Sequence, residues 1–412
     1  MLNITKYRLY PNKEVEQRLS RSLQLCSFVR NTFVQGNSHD VRWLPIMKQE
    51  FPELKDVHSI VLQNIVSQLR DDKNTRAALQ KKNPSMKVGK ARLKPCKNMI
   101  YEQSGFRLDK ENGILWLSKV GEIPILLSRE NPGKIKQIVV KRQKKGTWFA
   151  SIVADDGEPT PQKNILAGET AVGIDRNLVN FSTDSDGLEV DIQKNYRKME
   201  PHIKRAQHEL SRKVKYSNNW YKARRAVARL YGKAFDRRKD FQHKLSRYYV
   251  DNYDLIALEN LKVTNMIRNR RRNSKSILDA AWGQFKDFVK YKAVRAGKHL
   301  VLVNPAYTSQ ECSVCGEKNT ELTLEERTFQ CPSCGNELPR DFNAALNILN
   351  RAMEQVGWGT AKPATLDRHM LAEFGTHTLP GCVPGLQVPF YESRTPWVRT
   401  GIPVTQVQES HP

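Results

Sequence analysis

Two Cys-x2-Cys pairs carry the most specific chemistry in the sequence: Cys312 and Cys315, then, fifteen residues on, Cys331 and Cys334. Each pair can offer two thiolates to one ion. Two pairs close a tetrahedral zinc site with no open coordination position, so one Zn²⁺ held there would be structural. Gly316 and Gly335 follow the second cysteine of each pair, where the chain must turn tightly. The alternative, four unrelated buried cysteines, leaves the spacing unexplained. Cys26, Cys96 and Cys382 stand alone and read as inert. An odd total of seven cysteines, four of them clustered, is no extracellular disulfide framework and fits a reducing compartment.

Three acids form the second candidate. Asp175 ends the run AVGID and Glu259 ends LIALE. Asp341 precedes FNAALNIL, whose Ala344, Ala345, Ile348 and Leu349 suit a helix packed on a sheet. Hard divalent cations such as Mg²⁺ take oxygen ligands, and two of them about 4 Å apart can activate a water and stabilise the leaving oxygen of a phosphodiester. A carboxylate at the edge of an apolar run is otherwise unfavourable. Taken singly, each acid also has a plainer reading: Asp175 as a turn residue, Glu259 as a surface salt-bridge partner, Asp341 as a helix N-cap. Asp184 and Asp186 read as hairpin-turn residues.

The elements that would position these groups follow from periodicity. Residues 2–10 alternate polar and apolar and predict a strand stopped by Pro11. Residues 12–85 read as helical: Leu19, Leu23, Cys26 and Val29, then Ile60, Val61, Ile65, Val66 and Leu69, recur at helical spacing. A basic connector occupies 86–100. From 100 to 155 the period shortens to strands parted by Asn-Gly, Pro-Gly and Lys-Gly turns. This predicts a small barrel or sandwich that strand 2–10 completes, with the helical segment as an insertion. After a linker at 155–164, a second core opens at 170–190 with two strands about a turn at Asp186-Gly187. A basic helical stretch (194–250) precedes a buried strand in DLIALENL. Ser276 and Asp279 read as a capping box opening one amphipathic helix over 276–296, with Trp282, Phe285, Phe288 and Val289 in the core. HLVLVNP is a further strand. His202, His208 and His243 lack ligand spacing and read as surface residues. Residues 356–412, rich in Pro and Gly, read as a loosely ordered tail.

The chain has 412 residues, 39% of them hydrophobic, which is too apolar for a fully disordered protein. Its net charge of +25 calls for a polyanionic partner, nucleic acid first. No stretch nears the roughly 18 apolar residues of a membrane span, and the N-terminus has no apolar signal core. These features argue against a membrane or secreted protein and for the cytoplasm. Lys213, Arg224 and Arg225, and a second run of Arg268, Arg270, Arg271, Arg272 and Lys275, read as phosphate contacts. Tyr216, Trp220 and Tyr221 lie among these charges and suit either base stacking or core packing.

The segments KYRLYP, GIDRNLVNFSTDSDG, LIALENLKVTNMIRNRRRNSKSILDAAWGQFKDFVKYKA, NPAYTSQECSVCG, CPSCG and RDFNAALNI run in order over residues 1–350. Together they resemble the TnpB family of insertion-sequence-encoded, RNA-guided DNA endonucleases, which is similar to the compact type V CRISPR effectors. The resemblance implies a multidomain α/β protein with a β-barrel: an RNase H-like RuvC core with a zinc-ribbon insert, and an N-terminal wedge β-barrel with a helical recognition insert. It places the barrel at 1–11 and 99–165, the insert at 12–98, the nuclease core at 166–305, the ribbon at 306–336 and the last core helix at 337–355. It makes Asp175, Glu259 and Asp341 the catalytic acids around two Mg²⁺ ions. It implies a guide RNA from the transposon end, and cleavage of double-stranded DNA next to a short transposon-associated motif. The oligomeric state stays open, with a monomer favoured. The sequence departs from the family at Pro339, where an acid is common, at Asn177, where Gly is common, and in the Val88–Lys97 connector. The alternative is a nuclease-inactive, RNA-guided DNA-binding repressor, against which the presence of all three acids weighs.

Overall fold

The computed structural model describes residues 1–131, 133–161, 170–269, 273–323 and 325–358. The chain divides into two compact units, the first made of Met1–Pro159 and His208–Arg229 and the second of Thr160–Gln207 and the chain from Leu230 onward. No helix among the described residues is long and apolar enough to cross a membrane.

The first unit is built on β1 (Leu2–Leu9). Pro11 ends this strand, and the Asn12 side chain accepts a hydrogen bond from Val15 N at 2.8 Å to start α1 (Lys13–Gln35). α2 (Trp43–Glu50) and α3 (Ser59–Lys82) follow. Leu19, Cys26 and Val29 of α1 and Val61, Ile65, Val66 and Leu69 of α3 are buried in one core, as their spacing predicts. The chain then forms β2 (Asn98–Glu102), β3 (Phe106–Asp109), β4 (Ile114–Leu117), β5 (Gly121–Leu126), β6 (Lys134–Arg142) and β7 (Trp148–Asp155). The sheet order is β2-β6-β7-β1-β5-β4-β3, with every pairing antiparallel.

Chain connectivity requires this sheet to curl. Laid flat, seven strands spaced about 4.8 Å apart would hold the two edges roughly 29 Å from each other. Yet the edge strands β2 and β3 are consecutive, joined only by the 3-10 turn Gln103–Gly105, which can reach at most about 14 Å. The result is a barrel whose seam is closed by the chain. β1 runs through its middle, and Tyr7, Leu115, Ile123, Ile138, Trp148 and Ile152 are buried in the core it shares with the helices.

The second unit has a five-stranded sheet. β8 (Ala171–Asp175), β9 (Asn180–Asp184) and β10 (Glu189–Asp191) are antiparallel neighbours. Next in the chain come α4 (Asn195–Ser211) and α5 (Asn218–Asn252), whose stretch His208–Arg229 is grouped with the first unit, then β11 (Leu255–Glu259), α6 (Val263–Asn269), α7 (Ser274–Ala280), α8 (Trp282–Arg295) and β12 (His299–Val303). The sheet order is β10-β9-β8-β11-β12, with β8, β11 and β12 parallel. β13 (Thr328–Gln330) and β14 (Glu337–Pro339) form a small ribbon that runs directly into α9 (Arg340–Val356).

β11 is buried along its whole length because both sheet faces are covered. Ile256 and Leu258 pack with Tyr249, Phe285 and Val289 on one face. Leu255 and Ala257 pack with Ile348, Leu349 and Ala352 of α9 on the other. α9 approaches β8 closely at Gly173, where an added Cβ would lie 2.2 Å from the Ala345 carbonyl oxygen and 2.6 Å from Leu349 N. Glycine is required there by proximity.

Three local expectations change. The helix foreseen at 276–296 is two helices, because Ala281 adopts a left-handed φ of 49° between them. Ser276 therefore lies inside α7 and caps nothing; Asp279 instead accepts from Tyr196 N at 2.9 Å and lies 3.6 Å from Arg238. His243 is not a plain surface residue, since its ring stacks on Phe288 with centroids 3.9 Å apart.

Candidate metal centres

Asp175 and Glu259 stand at the C-terminal ends of adjacent parallel strands, where Ile174 and Leu258 are register partners. Asp341 sits in the first turn of α9, the helix that crosses β8 at Gly173. Strand pairing and one close helix crossing thus bring together three acids far apart in sequence. None keeps its plainer role. Asp175 is 9% and Glu259 6% exposed, so neither is a surface turn or surface ion pair. The N-cap of α9 is Pro339, so Asp341 is not the cap. Pro339 ends β14 with an extended backbone and hands the chain straight into the helix, which leaves Asp341 half-buried at its start.

Burial and mutual repulsion dominate the electrostatics. Asp175 is pushed up to about 8, first by desolvation and then by the charges of Glu259 and Asp341. Desolvation also raises Glu259 and Asp341. A cluster of desolvated carboxylates that resist ionisation side by side is relieved by a bound cation. All donors here are oxygens, the set preferred by Mg²⁺ or Mn²⁺. Among the described residues, the cysteine quartet is the group of metal-ligating side chains whose donor atoms all meet within 4.8 Å. One ion bound at about 2.1 Å would need all its oxygens within roughly 4.2 Å of each other. Asp175 nonetheless feels the charges of both Glu259 and Asp341, so the three carboxylates share one electrostatic neighbourhood.

Three residues that sequence reasoning did not place in a supporting role hold these acids. Thr308 Oγ1 donates to Glu259 Oε1 at 2.7 Å in a buried bond. Arg176 is buried, donates to the Glu259 and Trp282 carbonyl oxygens, and adds positive charge beside Asp175 and Glu259. Its own pKa falls to about 10 through desolvation. Asn177 Nδ2 donates to Asp341 Oδ2 at 3.1 Å, while its Oδ1 accepts from Val179 N and Asn180 N. Asn177 thus ties the β8–β9 turn to α9. The signal available beforehand was the Asp-Arg-Asn string itself; Thr308 had none.

The segment bearing Thr308 is clasped by α9. Asn343 and Asn347 donate to the Glu311 carbonyl, Asn347 also to the Thr308 carbonyl at 2.9 Å, and Asn343 Oδ1 accepts from Ser313 N. Arg351 donates to the Asn304 and Ala306 carbonyls and pairs with Glu311. One polar stripe on α9 therefore fixes both the approach to the ribbon and the residue that orients Glu259.

In the ribbon the four sulfurs converge as their spacing predicts. Cys312 Sγ lies 3.7 Å from Cys334 Sγ, and Cys315 Sγ 3.5 Å from Cys331 Sγ. A tetrahedral ion with bonds of about 2.3 Å to sulfur sets its ligands roughly 3.8 Å apart, so the cage matches Zn²⁺. The two knuckles repeat one geometry. Gly316 N bonds to the Cys312 carbonyl and Gly335 N to the Cys331 carbonyl, with Gly316 at φ 80° and Gly335 at φ 69°. A side chain at either would be strained. Cys26 and Cys96 are neighbours, with Cys96 Sγ 3.3 Å from the Cys26 carbonyl, and burial pushes both thiols up. Cys382 lies outside the described residues, as does the tail from 359.

Of the basic candidates, Lys213, Arg224 and Arg225 are exposed. Lys275 is also exposed but forms an ion pair with Glu200 at 2.9 Å. Arg268 falls in α6; Arg270, Arg271 and Arg272 lie outside the described residues.

Comparison with known proteins places these features in context. Residues 138–270 match a family model described as "Probable transposase", 282–348 a "Cas12f1-like, TNB domain", and 1–40 a "Helix-turn-helix domain". The last of these segments folds here around one strand and one helix, β1 and α1. The "Putative RNA-guided DNA endonuclease" of Streptomyces pristinaespiralis is 32% identical over 84% of this chain and 88% of its own length. The "Putative RNA-guided DNA endonuclease InsQ" of Escherichia coli K12 is 31% identical over 84% of this chain and 92% of its own. The CRISPR-associated endodeoxyribonuclease Cas12f1 of Sulfoacidibacillus thermotolerans is 30% identical over 30% of this chain and 29% of its own length.

Proposed function

The chain belongs to the TnpB family, and from that premise we propose that it is an RNA-guided, metal-dependent DNA endonuclease with an RNase H-like, RuvC-type core. Support comes first from the three acids with raised proton affinity, Asp175 and Glu259 buried at the ends of β8 and β11 and Asp341 half-buried at the start of α9. Asp175, Glu259 and Asp341 would hold two Mg²⁺ ions, which when bound supply Lewis acidity and positive charge at a phosphodiester. Thr308 keeps one oxygen of Glu259 turned to a fixed partner, Asn177 anchors Asp341, and Arg176 offsets part of the negative charge. The four cysteines would hold one structural Zn²⁺ with no open position, so the ribbon shapes the site without taking part in bond cleavage.

In this reading the barrel and its helical insert form the wedge and recognition parts, and a guide RNA from the transposon end supplies sequence specificity. The protein then needs to recognise backbone and shape, a task suited to exposed cations such as Lys213 and Arg225. Cutting falls next to a short transposon-associated motif and serves insertion-sequence transposition. The test is plasmid cleavage by the full chain with co-purified RNA and Mg²⁺, against Asp175→Ala. Guide-dependent cutting that Asp175→Ala abolishes while RNA binding survives supports the reading. Guide-dependent DNA binding without any cutting overturns it in favour of a repressor.

A further inference from the structure

We propose that the tip of the α4–α5 hairpin is a stacking platform for unpaired nucleobases. α4 ends at Ser211 and α5 starts at Asn218. Tyr216, in the turn between them, is 69% exposed and adopts a left-handed φ of 68° that L side chains rarely take. The turn is otherwise well built: Ser217 Oγ accepts from Trp220 N at 3.1 Å, and the Ser217 carbonyl accepts from Tyr221 N at 3.0 Å. An ordered turn therefore presents a large ring to water.

Tyr216 is one of a set. Its ring centroid is 5.5 Å from that of Trp220, which lies 5.1 Å from Tyr221 at 79°. The Arg224 guanidinium sits 5.2 Å from the Trp220 centroid and braces the indole. Tyr221 is 40% exposed, and none of the three rings belongs to a buried hydrophobic cluster. Core packing does not account for them.

The surrounding charge identifies the partner. Between Leu210 and Phe235 the chain carries eight Lys or Arg residues and no Asp or Glu. Rings braced by a cation within a basic stretch of chain suit a strand whose phosphates meet Lys and Arg while its bases stack on the aromatics. Stacking tolerates any base, as required of a protein whose sequence reading is delegated to a guide. Guide RNA and displaced DNA offer the same chemistry. The proposal rests on the function above only for the class of partner.

The test uses the full chain with oligouridine RNA or oligothymidine DNA, each bearing one photoreactive 5-iodouracil. Irradiation should cross-link Tyr216, Trp220 or Tyr221, and the arm that gives the higher yield identifies the source. Tyr216→Ala with Trp220→Ala should weaken binding of that oligonucleotide roughly tenfold at every salt concentration, leaving the slope of log Kd against log salt unchanged. Tyr216→Phe with Trp220→Phe should restore it, and unchanged thermal unfolding excludes misfolding. Replacing Lys213 and Lys215 by Ala should instead flatten the slope. Cross-links elsewhere only, or a double alanine variant that binds like the parent, overturns the platform. Because binding is read without cleavage, failure of the platform is distinct from failure of the nuclease reading.

Discussion

Replacing Thr308 by Val keeps the side-chain volume and removes the hydroxyl that donates to Glu259 Oε1. A hydrogen bond to a charged group contributes about 1.5–3 kcal/mol, and its loss raises the proton affinity of the carboxylate. Desolvation already raises Glu259, and Thr308 is the first group working against it. Its loss therefore drives Glu259 further toward the neutral acid, a poorer ligand for a cation. Removing a group that orients a metal ligand commonly costs 10–100-fold in metal affinity or activity. Single-turnover plasmid cleavage, measured against Mg²⁺ concentration and pH, should show a rate about 10–100-fold lower at neutral pH and low Mg²⁺. Raising the pH or adding Mg²⁺ should recover much of that loss. Thr308→Ser, which retains the donor, should behave much like the parent. A Thr308→Val profile that superimposes on the parent at every pH and Mg²⁺ concentration would refute the chain of reasoning from the bond to the site.

Other consequences can be measured in the same way. In the metal-free protein, Asp175 in the folded state holds a proton up to about pH 8 that the unfolded chain releases near pH 4. The folded state thus binds more protons across this window, and metal-free stability should fall as pH rises from about 4 to about 8. Asp175→Asn should flatten the decline and raise the melting temperature at pH 8, and equal slopes in melting scans would contradict the assignment. Gly173→Ala places a methyl group against the backbone of α9. It should destabilise the protein by at least about 1–3 kcal/mol and, by displacing Asp341, abolish cutting; an active variant of normal stability would disprove the contact. Cys315→Ser should remove one zinc equivalent per chain in elemental analysis and lower the melting temperature, and parent protein purified without zinc yet with an intact ribbon would rule the ion out.

Much of the architecture was legible because alternation and helical spacing follow burial. LNITKYRL turns Tyr7 and Leu9 inward as a strand must, and the apolar LIALE reads directly as a strand covered on both faces. The ribbon was the clearest feature, since four cysteines that must meet at one point constrain their own spacing. The three acids could be nominated singly, but their meeting depends on parallel strand register and on the approach of α9 to Gly173, neither of which leaves a periodic trace. Thr308 was invisible for the same reason: a lone threonine in a loop acquires meaning only when Asn347 fixes its backbone beside Glu259. The break at Ala281 escaped because alanine gives no warning of a left-handed turn.

The central position of β1 has a consequence for biosynthesis. Leu2 to Leu9 emerge from the ribosome long before Trp148–Asp155, to which their longest ladder is made. At 5–20 residues per second this strand waits roughly 7–30 s for its neighbour. Exposed apolar residues such as Leu2 and Ile4 then have time to find foreign strands. Slowing translation before both strands have left the exit tunnel should lengthen that vulnerable interval and lower soluble yield, whereas slowing it once β7 has fully emerged should be harmless.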